Sequence, residues 1–194
     1  MGANAPPRPV RALHLVPIGS LPRSQAEDLA ARLSRRVSIP CQVLASLPEA
    51  AVARLPGRDQ LNADALLRDL EARAPDEAVL LGVTPLDVGI PIFTFVFGRA
   101  RQGGSAAVVS LARLDPGFYG LPPGPERAAR RALSEVLHEL GHLASLRHCE
   151  DASCLMHFAA SVAQVDVRGS AFCASCAARL PGWLLGPVGP GRDP

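Results

Sequence analysis

The sequence predicts an α/β fold: a mixed, twisted sheet with flanking helices and a metal-stapled C-terminal subdomain. Three observations carry that reading. Short apolar runs alternate with amphipathic stretches through the first half, two β-rich segments meet at a glycine-containing turn, and a long helical pattern runs into a region dense in histidine and cysteine. At 194 residues the chain fits one domain with a proper core.

Arg11 to Ile18 reads as the first strand, and Ser24 is placed to cap the amphipathic run Gln25 to Arg36. Ile39 to Leu44 returns as a second strand, with Pro40 putting its start at an edge or bend because proline cannot donate to a ladder. Cys41 falls in that strand and reads as a small buried hydrophobe. Pro56-Gly57 breaks the chain. Asn62 or Asp59 can cap a helix through Arg73 that gathers Leu61, Leu66, Leu67 and Leu70 on one face, and Ala78 to Val83 follows as a buried strand. Pro91 to Ala100 and Ser105 to Leu114 are β-rich and joined by Arg101-Gln102-Gly103-Gly104, a hairpin signal that makes the sheet mixed. After the Gly- and Pro-rich loop Asp115 to Pro125, a helix begins near Pro125 or Glu126. Residues 1–10 and 186–194 read as flexible ends around a single domain, 11–185.

The formal charge of +2 and a pI near 8.4 are mild, and the basic residues, all arginine, are scattered. Nothing in that pattern suits a nucleic-acid surface. The apolar run Ala12 to Ile18 is too short for a signal segment, and no apolar stretch approaches the 18 or so residues a membrane span needs. The expectation is a cytoplasmic protein, monomeric, with no membrane partner. In a reducing compartment five cysteines do not make a disulfide framework, so metal ligation is the better reading for those between 149 and 176.

His138-Glu139-Leu140-Gly141-His142 is an H-E-x-x-H pattern at the end of the long helix. Residues i and i+4 share a helix face about 6 Å apart, so both imidazoles can reach one tetrahedral metal while Glu139 beside them can serve as an acid/base. His148 lies six residues beyond His142, which on a continued helix would be about 9 Å further along the axis. If the helix ends just after His142 and the chain turns back, His148 becomes a third ligand and leaves a fourth position open. Three histidines with an open position is a catalytic pattern, and a zinc there would acidify water and polarise a carbonyl while Glu139 takes the proton.

Cys149-x4-Cys154 and Cys173-x2-Cys176 supply two thiolate pairs, a soft tetrahedral set that selects zinc for a structural role. Only Arg168 lies among them as a basic residue, which disfavours a zinc-ribbon nucleic-acid module. With both sets in hand, the run His138 to Cys149, then Cys154-Leu155-Met156, then Cys173-Ala-Ser-Cys176, resembles the archaemetzincins, a branch of the metzincin metalloproteases. The resemblance spans about residues 11 to 184. It implies a catalytic zinc on His138, His142 and His148, Glu139 as general base, a second, structural zinc on Cys149, Cys154, Cys173 and Cys176, and Met156 as the methionine of the turn beneath the catalytic metal.

The resemblance also implies a zinc-dependent peptidase acting on peptide or protein substrates laid along an edge strand, here in the segment Phe93 to Phe97. The competing reading is a zinc-stabilised peptide- or protein-binding module with little turnover. Glu139 beside an open metal site favours chemistry. One departure stands out: where the metzincin pattern carries glycine, three residues after the second histidine, this chain has Ser145, so either the fold absorbs the strain of positive φ or the turn is built differently. Tyr119, in the loop before the helix, is a candidate to hydrogen-bond a reacting oxyanion, while His14 and His157 stand outside the ligand set.

Overall fold

The alternation within β1 (Ala12–Pro17) decides how the molecule is layered. Leu13 and Leu15 enter one core and Val16 another, because successive side chains of a strand leave on opposite faces. The computed structural model describes residues 9–184, so the flexible ends expected at 1–10 and 186–194 lie outside the described residues apart from Pro9 and Val10.

β1 pairs in parallel with β2 (Cys41–Val43) on one side and with β4 (Ala78–Thr84) on the other. β4 pairs in parallel with β7 (Ala106–Ser110), and the short β6 (Gly98–Ala100) closes the edge antiparallel to β7. The sheet order is therefore β2-β1-β4-β7-β6, mixed as expected, with β2 at one edge. Every residue of β4 is buried, as a strand covered on both faces should be. A second ladder, β3 (Leu61–Asn62) parallel to β5 (Val88–Gly89), is too short to leave a periodicity in the sequence.

On one face, Leu15, Leu81, Val83 and Val109 pack with Leu29 and Leu33 of α1 (Arg23–Ser34) and Val136 and Leu140 of α3 (Pro125–Leu143). On the other, Leu80 and Val108 meet Leu66, Leu67 and Leu70 of α2 (Ala63–Arg73). Each such leucine contributes about 1.5–3 kcal/mol on burial, which holds three helices to one sheet. Asn62 caps α2 by accepting from the Ala65 amide. Ser24, expected as a cap, sits inside the first turn of α1; Pro22 occupies the cap position with no side-chain hydrogen bond.

The β-rich segment Pro91 to Ala100 condenses to β6 alone. Phe93 and Thr94 give their carbonyls to the side chains of Arg58 and Gln60 instead of to a neighbouring strand, so no ladder extends there. Past α3, the short helices α4 (Val162–Val167) and α5 (Ala174–Ala177) belong to the cysteine-rich end. Among the described residues no helix is long and apolar enough to cross a membrane.

α4 is fastened to α3 by a fork. Arg131, almost wholly buried, donates to both Asp166 oxygens at 2.7 and 2.6 Å and to the Leu114 carbonyl at 2.9 Å. The paired N–H groups hold the Asp166 carboxyl below the usual carboxylate range. The folded state thus favours the ionised form, and the stabilisation is present above the unfolded carboxylate pKa and lost as pH falls through the lowered folded value. Asp166→Asn should cost about 1 kcal/mol at pH 7, modest because the carboxylate is 39% exposed and screened by solvent. In urea unfolding, the gap between wild type and variant should shrink from pH 7 towards pH 3; a constant gap would show that the ion pair does not carry it.

Candidate active site

α3 opens with Pro125 at its first turn and Glu126 near its positive end, both suited to a helix start. Its residues Arg131, Glu135, His138 and His142 fall at helical spacing on one stripe, with Glu139 beside them, and the stripe is turned inward. His138 and Glu139 are each 4% exposed, which decides that they cannot be ordinary surface polar groups.

The helix ends where the histidines need it to. The Leu146 amide donates to the Gly141 carbonyl and the Ser145 amide to the His142 carbonyl, each at 2.9 Å, the paired bonds of a Schellman motif. Ser145 is the left-handed residue, at φ 67°, and no other non-glycine residue among those described has positive φ. The strain is therefore absorbed and the usual turn is kept. The hairpin between β6 and β7 helps, since the Gly103 amide also donates to the His142 carbonyl at 3.0 Å.

The reversal returns His148 to the pair. The ligating nitrogens of His138, His142 and His148 lie within 4.8 Å of one another, and their ring centroids are 4.8 to 5.3 Å apart. Nδ1–H of His138 donates to the Leu155 carbonyl and Nδ1–H of His142 to the Leu146 carbonyl, both at 2.9 Å. Those bonds select the tautomer that leaves each Nε2 lone pair free for a metal. Burial, helped by the nearby Arg168 cation, pushes His138 down to about 2, and burial also lowers His142 and His148, so all three are held neutral, the form that binds metal.

The four cysteines converge as well. The sulfurs of Cys149, Cys154, Cys173 and Cys176 lie within 4.8 Å of one another as free thiols, Cys149 Sγ and Cys173 Sγ being 3.9 Å apart. Cys154 Sγ accepts from the amides of Met156 and Cys173, both at 3.4 Å. Burial raises the Cys154 and Cys176 thiols while the Cys176 amide lowers Cys173. Four thiolates this close repel unless a cation sits among them, so the donor set fits zinc.

Met156, fully buried, lies under the helix. A Cβ on Gly141 would come within 2.4 Å of its sulfur, which explains the glycine inside the histidine motif. Gly98 plays the same part on the opposite wall: a Cβ there would stand 2.5 Å from Glu139 Oε1. Glu139 is fully buried, its Oε2 has no hydrogen-bond partner, and burial together with nearby Glu135 raises its carboxyl well above the usual range.

A cleft of about 480 Å³ joins these groups, lined by the three histidines, Glu139, Glu135, Arg168, Phe158 and the wall from Phe93 to Ala100. Phe93 to Phe97 thus flanks the histidines as expected, but only residues 98–100 form the edge strand. Tyr119 does not line the cleft; its hydroxyl donates to the Arg113 carbonyl. His157 turns its Nδ1 to the Cys149 carbonyl, and His14 sits in β1. Sequence reasoning passed over Glu135, Gly98 and Arg168. Arg168 Nη2 lies 2.6 Å from Glu135 Oε2 and Nη1 3.1 Å from His138 Nδ1, both side chains being nearly inaccessible. Only the helical stripe Arg131, Glu135, His138 could have signalled Glu135 beforehand.

Two histidines on one inward face of a helix, a third returned to them by the turn that follows, and a buried carboxylate beside them below a sheet edge define a zinc metallopeptidase as the class. The chain belongs to peptidase family M54, the archaemetzincins, whose sequence model matches residues 28–181. It is 39% identical to the archaemetzincin of Methanocaldococcus jannaschii over 72% of this chain and 76% of that one, and 34% identical to that of Pyrococcus furiosus over 86% and 90%. Among solved structures, archaemetzincin from Archaeoglobus fulgidus, complexed with malonate, superposes with a TM-score of 0.75 at 32% identity, covering 87% of this chain and 99% of that one. A zinc-dependent peptidase from Methanocorpusculum labreanum gives 0.78 at 26% identity, covering 87% and 100%.

Replacing Ser145 by glycine removes the left-handed strain while keeping both turn hydrogen bonds. Ser145→Gly should raise unfolding stability by about 1 kcal/mol, read by chemical denaturation, with zinc content unchanged. A loss of stability would mean that the serine side chain contributes more than its backbone costs.

Proposed function

We propose that the cleft is a peptide-hydrolysing site in which His138, His142 and His148 hold one catalytic zinc and Glu139 is the general base, while Cys149, Cys154, Cys173 and Cys176 hold a second, structural zinc. The observation that carries this reading is the convergence of three imidazoles with a buried carboxylate, one oxygen of which has no hydrogen-bond partner, all lining one cleft. When bound, zinc supplies a Lewis acid that acidifies water and polarises a carbonyl.

The chain's own groups supply the remainder. Glu139 takes a proton from water and passes it to the leaving amine, and burial beside Glu135, which raises its carboxyl above the usual range, strengthens it as a proton acceptor. Gly98 leaves room for that carboxylate, and Met156 fills the space beneath the helix that carries the histidines. A peptide laid extended along the 93–100 wall would bring its main chain past the histidines, with β6 offering the free edge of the sheet. The cysteine cluster would hold Cys149, and with it the adjacent His148, in register. A reducing, cytoplasmic setting accords with five free thiols.

Glu139→Gln should retain zinc and lose about 10²–10⁴-fold in peptide cleavage, measured on an internally quenched peptide. Undiminished turnover would remove Glu139 from the mechanism and leave a different base to be found. Metal analysis addresses the two sites separately: wild type should carry two zincs per chain, and His142→Ala and Cys173→Ala one each. A single zinc in all three proteins would defeat the two-site scheme.

A further inference from the structure

The wall of the cleft facing the histidines has almost no ladder of its own. From Ile90 to Phe97 its main-chain pairing is limited to a bridge between Ile90 and Phe93, a bond from the Val96 amide to the Val88 carbonyl at 3.1 Å and, at its end, one from the Ser110 amide to the Phe97 carbonyl at 2.8 Å. Ile90 and Phe97 are buried at its two ends, but residues 91–94 between them are exposed, Ile92 and Phe93 by 80% and 53%, so little burial holds the middle of the segment down. Such a stretch opens locally at small cost unless something fastens it.

Arg58 is the fastening. It makes no ion pair among the described residues, and its guanidinium instead donates to three main-chain carbonyls of the wall: Nη1 to Ile90 at 3.1 Å, Nη2 to Phe93 at 2.8 Å, and Nη2 to Thr94. A fork of donors on a rigid plane can meet several carbonyls at once, and charge-assisted bonds are roughly twice as strong as neutral ones. Gln60 Nε2 adds a bond to the same Thr94 carbonyl at 3.0 Å and one to Asp87 at 2.7 Å. Asp87 in turn holds Arg113 through two bonds of 2.9 and 2.8 Å, and the Arg113 guanidinium lies 4.1 Å from the Phe95 ring.

The turn that presents Arg58 is itself closed. The Leu55 amide donates to the Gln60 carbonyl and the Arg58 amide to the Leu55 carbonyl. Gly89, in β5, completes the fit: a Cβ there would stand 2.7 Å from Gln60 Oε1 and 2.8 Å from Arg58 Nη2.

We infer that Arg58 is a positioning residue for substrate recognition: by binding the carbonyls of Ile90, Phe93 and Thr94 it fixes how far the 93–97 wall stands from the histidines, and so which peptide side chains the cleft accepts. This rests on the reading of the cleft as the peptide-binding site. Arg58 touches neither the histidines nor Glu139, so its effect falls on binding and not on the chemical step. A wall already in place spares the peptide the cost of ordering it.

The test compares wild type, Arg58→Ala, Arg58→Lys and Gly89→Ala, all zinc-loaded, on one internally quenched peptide, with amide exchange followed at Phe93 and Val96. Arg58→Ala should speed exchange at both amides at least about tenfold and raise KM about fivefold or more, with kcat within about twofold of wild type. Gly89→Ala, which displaces the far ends of Arg58 and Gln60 without replacing either, should act in the same direction. Arg58→Lys, with charge but no fork, should recover part of the loss. Unchanged exchange in both Arg58→Ala and Gly89→Ala overturns the inference, as does faster exchange with unchanged KM. A fall in kcat and zinc content that tracks a lower unfolding temperature overturns it too, because that is a general structural effect. Glu139→Gln serves as the control: if it still cleaves the peptide, the reading of the cleft fails, whereas an inactive Glu139→Gln beside an unaffected Arg58→Ala overturns this inference alone.

Discussion

The reversal of the chain at Ser145 is the constraint on which the rest of the site depends. A helix that ran on through residue 148 would carry His148 away from His138 and His142, and no rearrangement of side chains could bring it back. Stopping α3 immediately after the second histidine requires a left-handed residue, and the chain accepts a serine at φ 67° to obtain it. Two Schellman bonds and the amide of Gly103 from the neighbouring hairpin hold the helix end against that strain. Local backbone cost is thereby offset by contacts from an element distant in sequence.

The segment beyond the turn is organised by sulfur. Leu155, whose carbonyl sets the His138 tautomer, sits between Cys154 and Met156, and the Cys149 amide bonds the Met156 carbonyl. Arg168, which reaches Glu135 and His138, lies five residues before Cys173. The Leu155 carbonyl that orients His138, and the Arg168 cation close to the ring, thus both come from the segment between the first and last cysteine. Orientation of this kind is how surrounding hydrogen bonds decide which imidazole nitrogen meets a metal.

The cleft has two unlike walls. One is a helix anchored in the core by Val136, Leu137 and Leu140. The other is an irregular segment that ends in a three-residue edge strand and hangs on arginine and glutamine side chains from a turn more than thirty residues earlier. The helix-borne His138, Glu139 and His142 therefore face a wall held in part by a few charge-assisted hydrogen bonds.

Much of this could be read along the chain. The strands β1 and β4, the helices α2 and α3, the hairpin and both ligand clusters announced themselves because each is a local pattern: period two, period 3.6, a turn dipeptide, or metal-ligand spacing. Ser145 was visible as a departure, though its conformation was not. The sequence by itself determined which side chains could bind metal and that His138 and His142 share a helix face, since helical spacing alone puts them there. Only the tertiary structure decided that His148 returns to them, that Phe93 to Phe97 does not form a strand, and that Arg58 bonds the cleft wall and Arg168 reaches Glu135. Those outcomes depend on contacts between residues far apart in the chain, His142 with the hairpin turn at Gly103, Arg58 with Thr94, Arg168 with Glu135, and no single stretch of sequence contains both partners.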